Sequence, residues 1–230
     1  MAGISTAPKK NSKDVILPYQ KSGEYHIEDL GEVKLNPLYA FVKRTFDIGF
    51  SLISLIILAI PMLVIALFIK INSKGPVLYK QERQGKNNKT FIMLKFRTMH
   101  VDAEKDGARW SADVDDRATS VGAFLRKTKL DELPQLINIL KNDMSFIGPR
   151  PERDCFIQEF ETYIIGFSER MKVKPGLTGY AQVYGGYYLK PEEKIVYDIE
   201  YIKNMSLKMD MKIIAKSFAV VLFQKGQKEN

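Results

Sequence analysis

Hydrophobic positions follow three different patterns along this chain. From Ile48 to Ile69 there are 22 consecutive residues without a charge, IGFSLISLIILAIPMLVIALFI. As one straight helix this run would extend about 33 Å, close to the hydrocarbon thickness of a bilayer. Next, VLYKQERQG and KTFIMLKFRTM read as two strands around Lys86-Asn87-Asn88, after a helix break at Gly75-Pro76. Helical spacing then governs Leu133, Leu136, Ile137 and Leu140. It returns in Ser206–Gln224, where Lys208, Lys212 and Lys216 line one face and Leu207, Met211, Ile214, Phe218, Val221 and Leu222 populate others. The mixture predicts an α+β protein carrying one membrane-seeking element and a small β-hairpin.

The apolar run is not a cleavable signal peptide, because roughly 40 polar and mixed residues precede it and no small-residue cleavage site follows. Its length also makes a buried core helix the lesser reading. Two details argue against a simple span. Pro61 removes a backbone donor inside the run and crowds the preceding turn. Basic residues flank both ends, with Lys43 and Arg44 before it and Lys70 and Lys74 after it, and the positive-inside bias holds both ends on the cytoplasmic side. A helix that enters, kinks at Pro61 and returns satisfies both details. A tilted, kinked span is the alternative. The C-terminal helix also has two readings, packed on the domain or lying in the membrane interface with its lysines at the head groups.

Charge sharpens this picture. Lys+Arg number 35 and Asp+Glu 27, a net +8. Between Lys70 and His100 there are eight basic residues and one acid, Glu82, so this block holds +7 of that total. Beside a membrane helix, such a block is drawn to anionic head groups and phosphate. No nucleic-acid motif accompanies it. The single cysteine, Cys155, excludes an internal disulfide and a Cys-based zinc site. Asn36-Pro37 marks a boundary. The expected organisation is therefore a polar, partly ordered leader at 1–37, a membrane helix at 38–74, the main folded domain at 75–224 and a tail at 225–230.

Candidate chemistry lies in LRKTKLDELPQLINILKNDMSFIGPRPER. Thr128-x-x-Asp131 fits a capping box, and Pro134 is tolerable near a helix start. Asp131 and Glu132 then fall in or next to a first helical turn, where free N–H groups and the helix dipole favour anions. Adjacent helical residues point about 100° apart, so the two acids are expected to divide the work. Simple capping is the plain alternative. Arg126 before the pair, and Arg150 in the stiff turn Gly148-Pro149-Arg150-Pro151 after it, favour phosphate chemistry instead. Two carboxylates facing phosphate oxygens suit Mg²⁺.

KRTFD, KFRTM, LRKTKLDELPQL, NDMSFIGPRP and KPGLTGYAQV, in this order, resemble the monotopic polyprenyl-phosphate phosphoglycosyltransferases, the bacterial sugar transferase family, from about Leu38 to Phe223. The resemblance implies a monotopic membrane protein with a kinked re-entrant helix and several amphipathic interfacial helices, at the cytoplasmic face of the bacterial inner membrane. It implies transfer of a sugar 1-phosphate from a UDP-sugar to polyprenyl phosphate, with release of UMP. Asp131 matches the nucleophile that forms a covalent phosphosugar intermediate, and Glu132 the acid that assists through Mg²⁺ or a proton. Arg126 and Arg150 match basic positions around the phosphates. Lys95 and Arg97 are weaker candidates for the same role. Asp198 resembles an acid near the site, with a surface helix position as the plain alternative. Lys43, Arg44 and Asp47 match the motif anchoring the re-entrant helix, with Pro61 at its break. Tyr180 stands where many relatives have Trp, and Tyr184-Gly185-Gly186-Tyr187-Tyr188 replaces a Gly-Arg-Asn loop, which leaves the sugar open. Expected partners are the UDP-sugar, polyprenyl phosphate, the cytoplasmic leaflet and, as an option, a second copy in a homo-oligomer; nucleic acid is not among them.

Overall fold

The computed structural model describes residues 23–105, 116–185 and 189–223, with the short strands at 15–16 and 108–109. The tail, most of the leader, the 186–188 stretch of the tyrosine loop and the side chains of Val221 and Leu222 lie outside the described residues. The fold is α+β, and its strands pair two by two: β1 (Val15–Ile16) with β5 (Ala108–Arg109), β2 (Tyr25–His26) with β7 (Ile164–Ile165), β3 (Leu78–Gln84) with β4 (Thr90–Phe96), and β6 (Ser145–Ile147) with β8 (Gly176–Thr178). Only β3–β4 is antiparallel among them, in register from Leu78 opposite Phe96 to Gln84 opposite Thr90. The predicted Lys86–Asn88 turn closes this hairpin, with Asn87 and Asn88 at positive φ as a tight reversal favours.

Asn36 starts the first helix, α1 (Pro37–Ile57). Its Oδ1 accepts from the N–H groups of Leu38 and Tyr39, and Pro37 occupies the first turn, where a missing donor costs nothing. The apolar run then bends by 63° into α2 (Ala59–Asn72). The break lies at Leu58, not at Pro61 itself. Pro61 has no N–H for the Ile57 carbonyl and its ring crowds that oxygen, so the ladder fails one turn upstream and Pro61 falls in the first turn of α2. Among the described residues no single helix is long and apolar enough to cross a membrane. Ile53, Ile56, Ile60, Leu63, Leu67 and Ile71 are 58–75% exposed, so the domain leaves much of this pair uncovered.

The remaining helices are α3 (Ser120–Thr128), α4 (Gln135–Leu140), α5 (Asp154–Glu161), α6 (Pro191–Lys203) and α7 (Leu207–Phe223). Four apolar clusters tie them together. Phe91 and Met93 of β4 pack on Leu136 and Ile139 of α4. Ile69 of α2, Phe96 and Leu125 of α3 form a second cluster. Ile147, Tyr201 and Ile213 join β6, α6 and α7. The fourth, around Phe160, Phe167 and Ile195, also receives Tyr25, Ile27 and Leu30 from the leader, where Leu30 N donates to Glu169 at 2.7 Å. α7 therefore packs on the domain through Ile213 and Ser217, the latter bonded to Thr178 at 2.8 Å. Its Leu207, Met211 and Phe218 remain exposed.

Candidate active site

Asp131 and Glu132 lie in a 3₁₀ turn, Leu130–Glu132, between α3 and α4. The expected capping box is not formed. Thr128 closes α3 instead, its hydroxyl donating to the Phe124 and Leu125 carbonyls, and Lys129 turns left-handed at φ 59°. Thr119 caps α3 by accepting from Gly122 N at 3.0 Å. Because α4 begins only at Gln135, what holds Glu132 in this structure is a pair of side-chain cations.

Lys95 Nζ lies 3.0 Å from Glu132 Oε1, and Arg150 reaches both oxygens, with its Nη1 3.3 Å from Oε2. Burial alone would raise the Glu132 pKa, but Arg150 and Lys95 outweigh it and hold the carboxyl well below the usual range. Asp131 has the opposite balance. It is 6% exposed, and burial together with the Glu132 charge pushes its pKa up to about 6 against the pull of Lys95, Arg150 and Lys129. The two acids thus differ as their spacing suggested. Glu132 is clamped by two cations that favour its ionised form, whereas Asp131 is a poorly hydrated carboxylate at neutral pH, the state in which oxygen is most reactive toward an electrophile.

Arg150 is aimed by an unusually well-tied turn. Pro149 and Pro151 lack N–H groups, yet the carbonyls from 149 to 152 each accept from a different residue: Gly176 N at 2.9 Å, Arg170 Nη2 at 3.0 Å, Arg83 Nη1 at 3.1 Å and Gln84 N at 3.0 Å. Gly148 donates to Thr178 O at 2.9 Å, and a Cβ there would stand 2.4 Å from Lys174 O. The close approach of β6 and β8 therefore requires glycine.

Other expected residues take different places. Asp198 is 1% exposed and accepts from Arg170 Nε at 2.8 Å, so it is neither a surface residue nor a neighbour of Glu132 by direct bonding. Burial raises its pKa against the pull of Arg170 and Lys194. Arg97 does not offer its guanidinium outward; it donates to the Ser73 carbonyl and hydroxyl at 2.8 Å and to Lys74 O at 3.0 Å, fastening the end of α2. Arg126 is half-buried in the last turn of α3, its carbonyl accepting from Lys129 N. Sequence reasoning missed Arg83, Glu152, Arg170 and Lys194, which form a buried charge network beneath the 148–152 turn. Arg83 and Lys194 lie 3.3 and 3.5 Å from the Glu152 carboxylate. The one available signal was Glu152 directly following Pro-Arg-Pro.

The two basic residues before the apolar run prove to be bonded within the domain, whereas Lys70 and Lys74 after it stay exposed. Lys43 donates to Asp210 at 2.8 Å, and Tyr39 and Tyr201 hydroxyls donate to the same carboxylate at 2.9 Å each. Arg44 caps α4 through the Ile139 and Leu140 carbonyls, and Asp47 accepts from Phe146 N at 2.8 Å. Each anchors α1 to a different element of the domain.

These features define an α+β domain built on a paired-carboxylate, cation-lined site and fastened to a bent apolar helix pair. Residues 38–224 match the family model described as bacterial sugar transferase, and the chain belongs to that family. It is 42% identical over 225 residues to the UDP-N-acetylgalactosamine-undecaprenyl-phosphate N-acetylgalactosaminephosphotransferase of Aeromonas hydrophila, covering 96% of this chain and 53% of that protein. It is 51% identical over 134 residues to a putative undecaprenyl-phosphate N-acetylgalactosaminyl 1-phosphate transferase of Bacillus subtilis, covering 58% of this chain and 74% of the relative. The UDP-glucose:undecaprenyl-phosphate glucose-1-phosphate transferase of Escherichia coli is 37% identical over 201 residues, 82% of this chain and 43% of that protein. The chain thus spans about half the length of several of the curated relatives it matches.

Proposed function

We propose that this chain transfers a sugar 1-phosphate from a UDP-sugar to polyprenyl phosphate, of the undecaprenyl type, releasing UMP and giving a polyprenyl diphosphate-linked sugar. The observation that carries this reading is the unequal pair: Asp131 buried and raised to about 6, Glu132 clamped by Lys95 and Arg150. In the first step an Asp131 oxygen attacks the sugar-bearing phosphorus. An O–P bond forms to the carboxylate while the P–O bond to UMP breaks, and UMP leaves with the electron pair. In the second step a phosphate oxygen of polyprenyl phosphate attacks the same phosphorus, forming the diphosphate and regenerating the Asp131 carboxylate. Dividing the displacement suits one soluble and one lipid substrate. Arg150, with five N–H donors of which Glu132 takes part, and Lys95 stabilise charge gathering on the phosphoryl oxygens.

The donor set fits Mg²⁺. Among the described residues no three His, Cys, Asp or Glu side chains converge, and Mg²⁺ is commonly held by one or two carboxylates plus phosphate oxygens and water. Asp131 and the remaining lone pair of Glu132 would hold it, and it would supply charge neutralisation for the leaving UMP.

We further infer re-entry of α1–α2 at the cytoplasmic face of the bacterial inner membrane. Lys43, Arg44 and Asp47 fasten the beginning of α1 to the domain, and Arg97 fastens the end of α2 to it. A span would carry these two ends to opposite faces. The exposed Leu207, Met211 and Phe218 of α7, beside Lys208 and Lys212, support contact of that helix with the same lipid surface. The test is UMP release from UDP-N-acetylgalactosamine and UDP-glucose, with other UDP-sugars in the panel. Sustained, multiple-turnover release that requires both polyprenyl phosphate and Mg²⁺ is expected; absence of release with every sugar would overturn the reading.

A further inference from the structure

We propose that Arg170 is a positioning residue for the sugar-phosphate transfer, holding Arg150 against Glu132 from beneath. This rests on the functional reading above and extends it to a residue outside the carboxylate site. The argument begins with the two prolines. A turn containing Pro149 and Pro151 cannot secure itself through those N–H groups, so the backbone direction at Arg150 depends on donors reaching in from elsewhere. The carbonyl of Arg150 itself is held by one charged donor, Arg170 Nη2, at 3.0 Å.

Arg170 is built for this task. Its side chain is 2% exposed, and it grips Asp198 through Nε at 2.8 Å and Nη2 at 2.5 Å. The Phe167 ring lies 5.0 Å from its guanidinium carbon and fixes the plane from one side. Asp198 thus supplies the counter-charge that makes a buried guanidinium tolerable, while the planar fork leaves a donor for Arg150 O. The chain of bonds runs from Asp198 to Arg170, to the Arg150 backbone, and through the Arg150 side chain to Glu132 beside Asp131. A second guanidinium, Arg83, repeats the arrangement on Pro151 O, with Glu152 as its buried counter-charge. Lysine cannot reproduce the fork, because its single ammonium cannot reach Asp198 and Arg150 O in the same planar geometry.

The test is a double-mutant cycle on UMP release, using Arg170→Lys, Arg150→Ala and the double variant in the full-length enzyme. Arg170→Lys keeps the charge for Asp198 and should lower kcat by roughly ten- to a hundred-fold, since a shift of about 1 Å at a reacting site costs that much, with KM for the UDP-sugar changed less. In the Arg150→Ala background the same substitution should change kcat by less than about two-fold. Asp198→Asn, which leaves one acceptor oxygen for Arg170, should show the same dependence on Arg150 with a smaller loss, and it serves if Arg170→Lys does not fold. Equal losses with and without Arg150, or no loss in either background, would overturn the assignment and leave a buried ion pair of purely structural value. Wild-type UMP release in the same assay certifies the functional reading, so additive losses count against Arg170 alone.

Discussion

Asp131→Asn should abolish transfer and at the same time make the protein more stable at neutral and alkaline pH. The magnitude follows from the Asp131 pKa, which stands at about 6 in the folded chain against 3.8 for the free residue. A carboxyl whose folded pKa is raised binds its proton more tightly in the folded state, so its ionisation favours unfolding. The folded chain is unpenalised below about pH 4, loses stability as pH rises between the two values, and carries the full cost above about pH 7. Two units correspond to about 3 kcal/mol, and coupling to Glu132 brings the expected range to about 1–3 kcal/mol. Asparagine keeps the shape and cannot ionise. For a chain of this size the gain is a rise of roughly 3–10 °C in Tm. Thermal unfolding of wild type and variant in the same detergent, from pH 5 to pH 8 without added Mg²⁺, checks this. The gap should be largest at pH 8 and about half as large at pH 5. Equal Tm values at pH 8, or a less stable variant, would refute the claim that Asp131 is held ionised at a cost.

Three further outcomes are expected. Glu132→Gln should leave Lys95 and Arg150 facing a neutral amide, lowering stability by about 3 kcal/mol in denaturant unfolding and reducing UMP release at least a hundred-fold; near wild-type activity would remove Glu132 from the site. Lys43→Met strands the Asp210 carboxylate with two tyrosine donors, and should cost about 2–4 kcal/mol that Asp210→Leu in the same chain recovers in part; an unchanged Tm would show that this pair does not anchor α1. With Cys155 replaced by Ala, Lys34→Cys and Lys74→Cys should each be labelled from the cytoplasmic side of sealed vesicles, and labelling of the two from opposite sides would establish a span.

The hairpin, the apolar run and the paired carboxylates were legible in the chain because each is a local pattern: turn chemistry at Lys86–Asn88, 22 uncharged positions, and adjacent acids before helical spacing. What was not legible was partnership. Lys43 and Arg44 read as positive-inside flanking charges and, by resemblance, as helix anchors, but sequence shows a charge without its partner; Asp210 and the α4 carbonyls lie 167 and 95 residues away. Asp198 read as a neighbour of the site, and its tie to Arg170 is formed only when α6 folds over the 3₁₀ turn at Phe167–Lys172. Arg97 read as a phosphate ligand, and packing turned it onto the Ser73 and Lys74 carbonyls instead. Thr128 failed as a cap because Lys129 reverses the chain in a left-handed conformation, a choice that nothing in Lys-Thr-Lys specifies locally.

The central claim is that Asp131 receives the sugar phosphate. Its most direct test is intact-protein mass measurement after incubation with the productive UDP-sugar and Mg²⁺ in the absence of polyprenyl phosphate. Wild type should gain the mass of one sugar phosphate, release an equal amount of UMP, and lose the adduct when polyprenyl phosphate is added, while Asp131→Asn gains none. An adduct of the same mass on Asp131→Asn, or turnover in that variant, would place the nucleophile elsewhere.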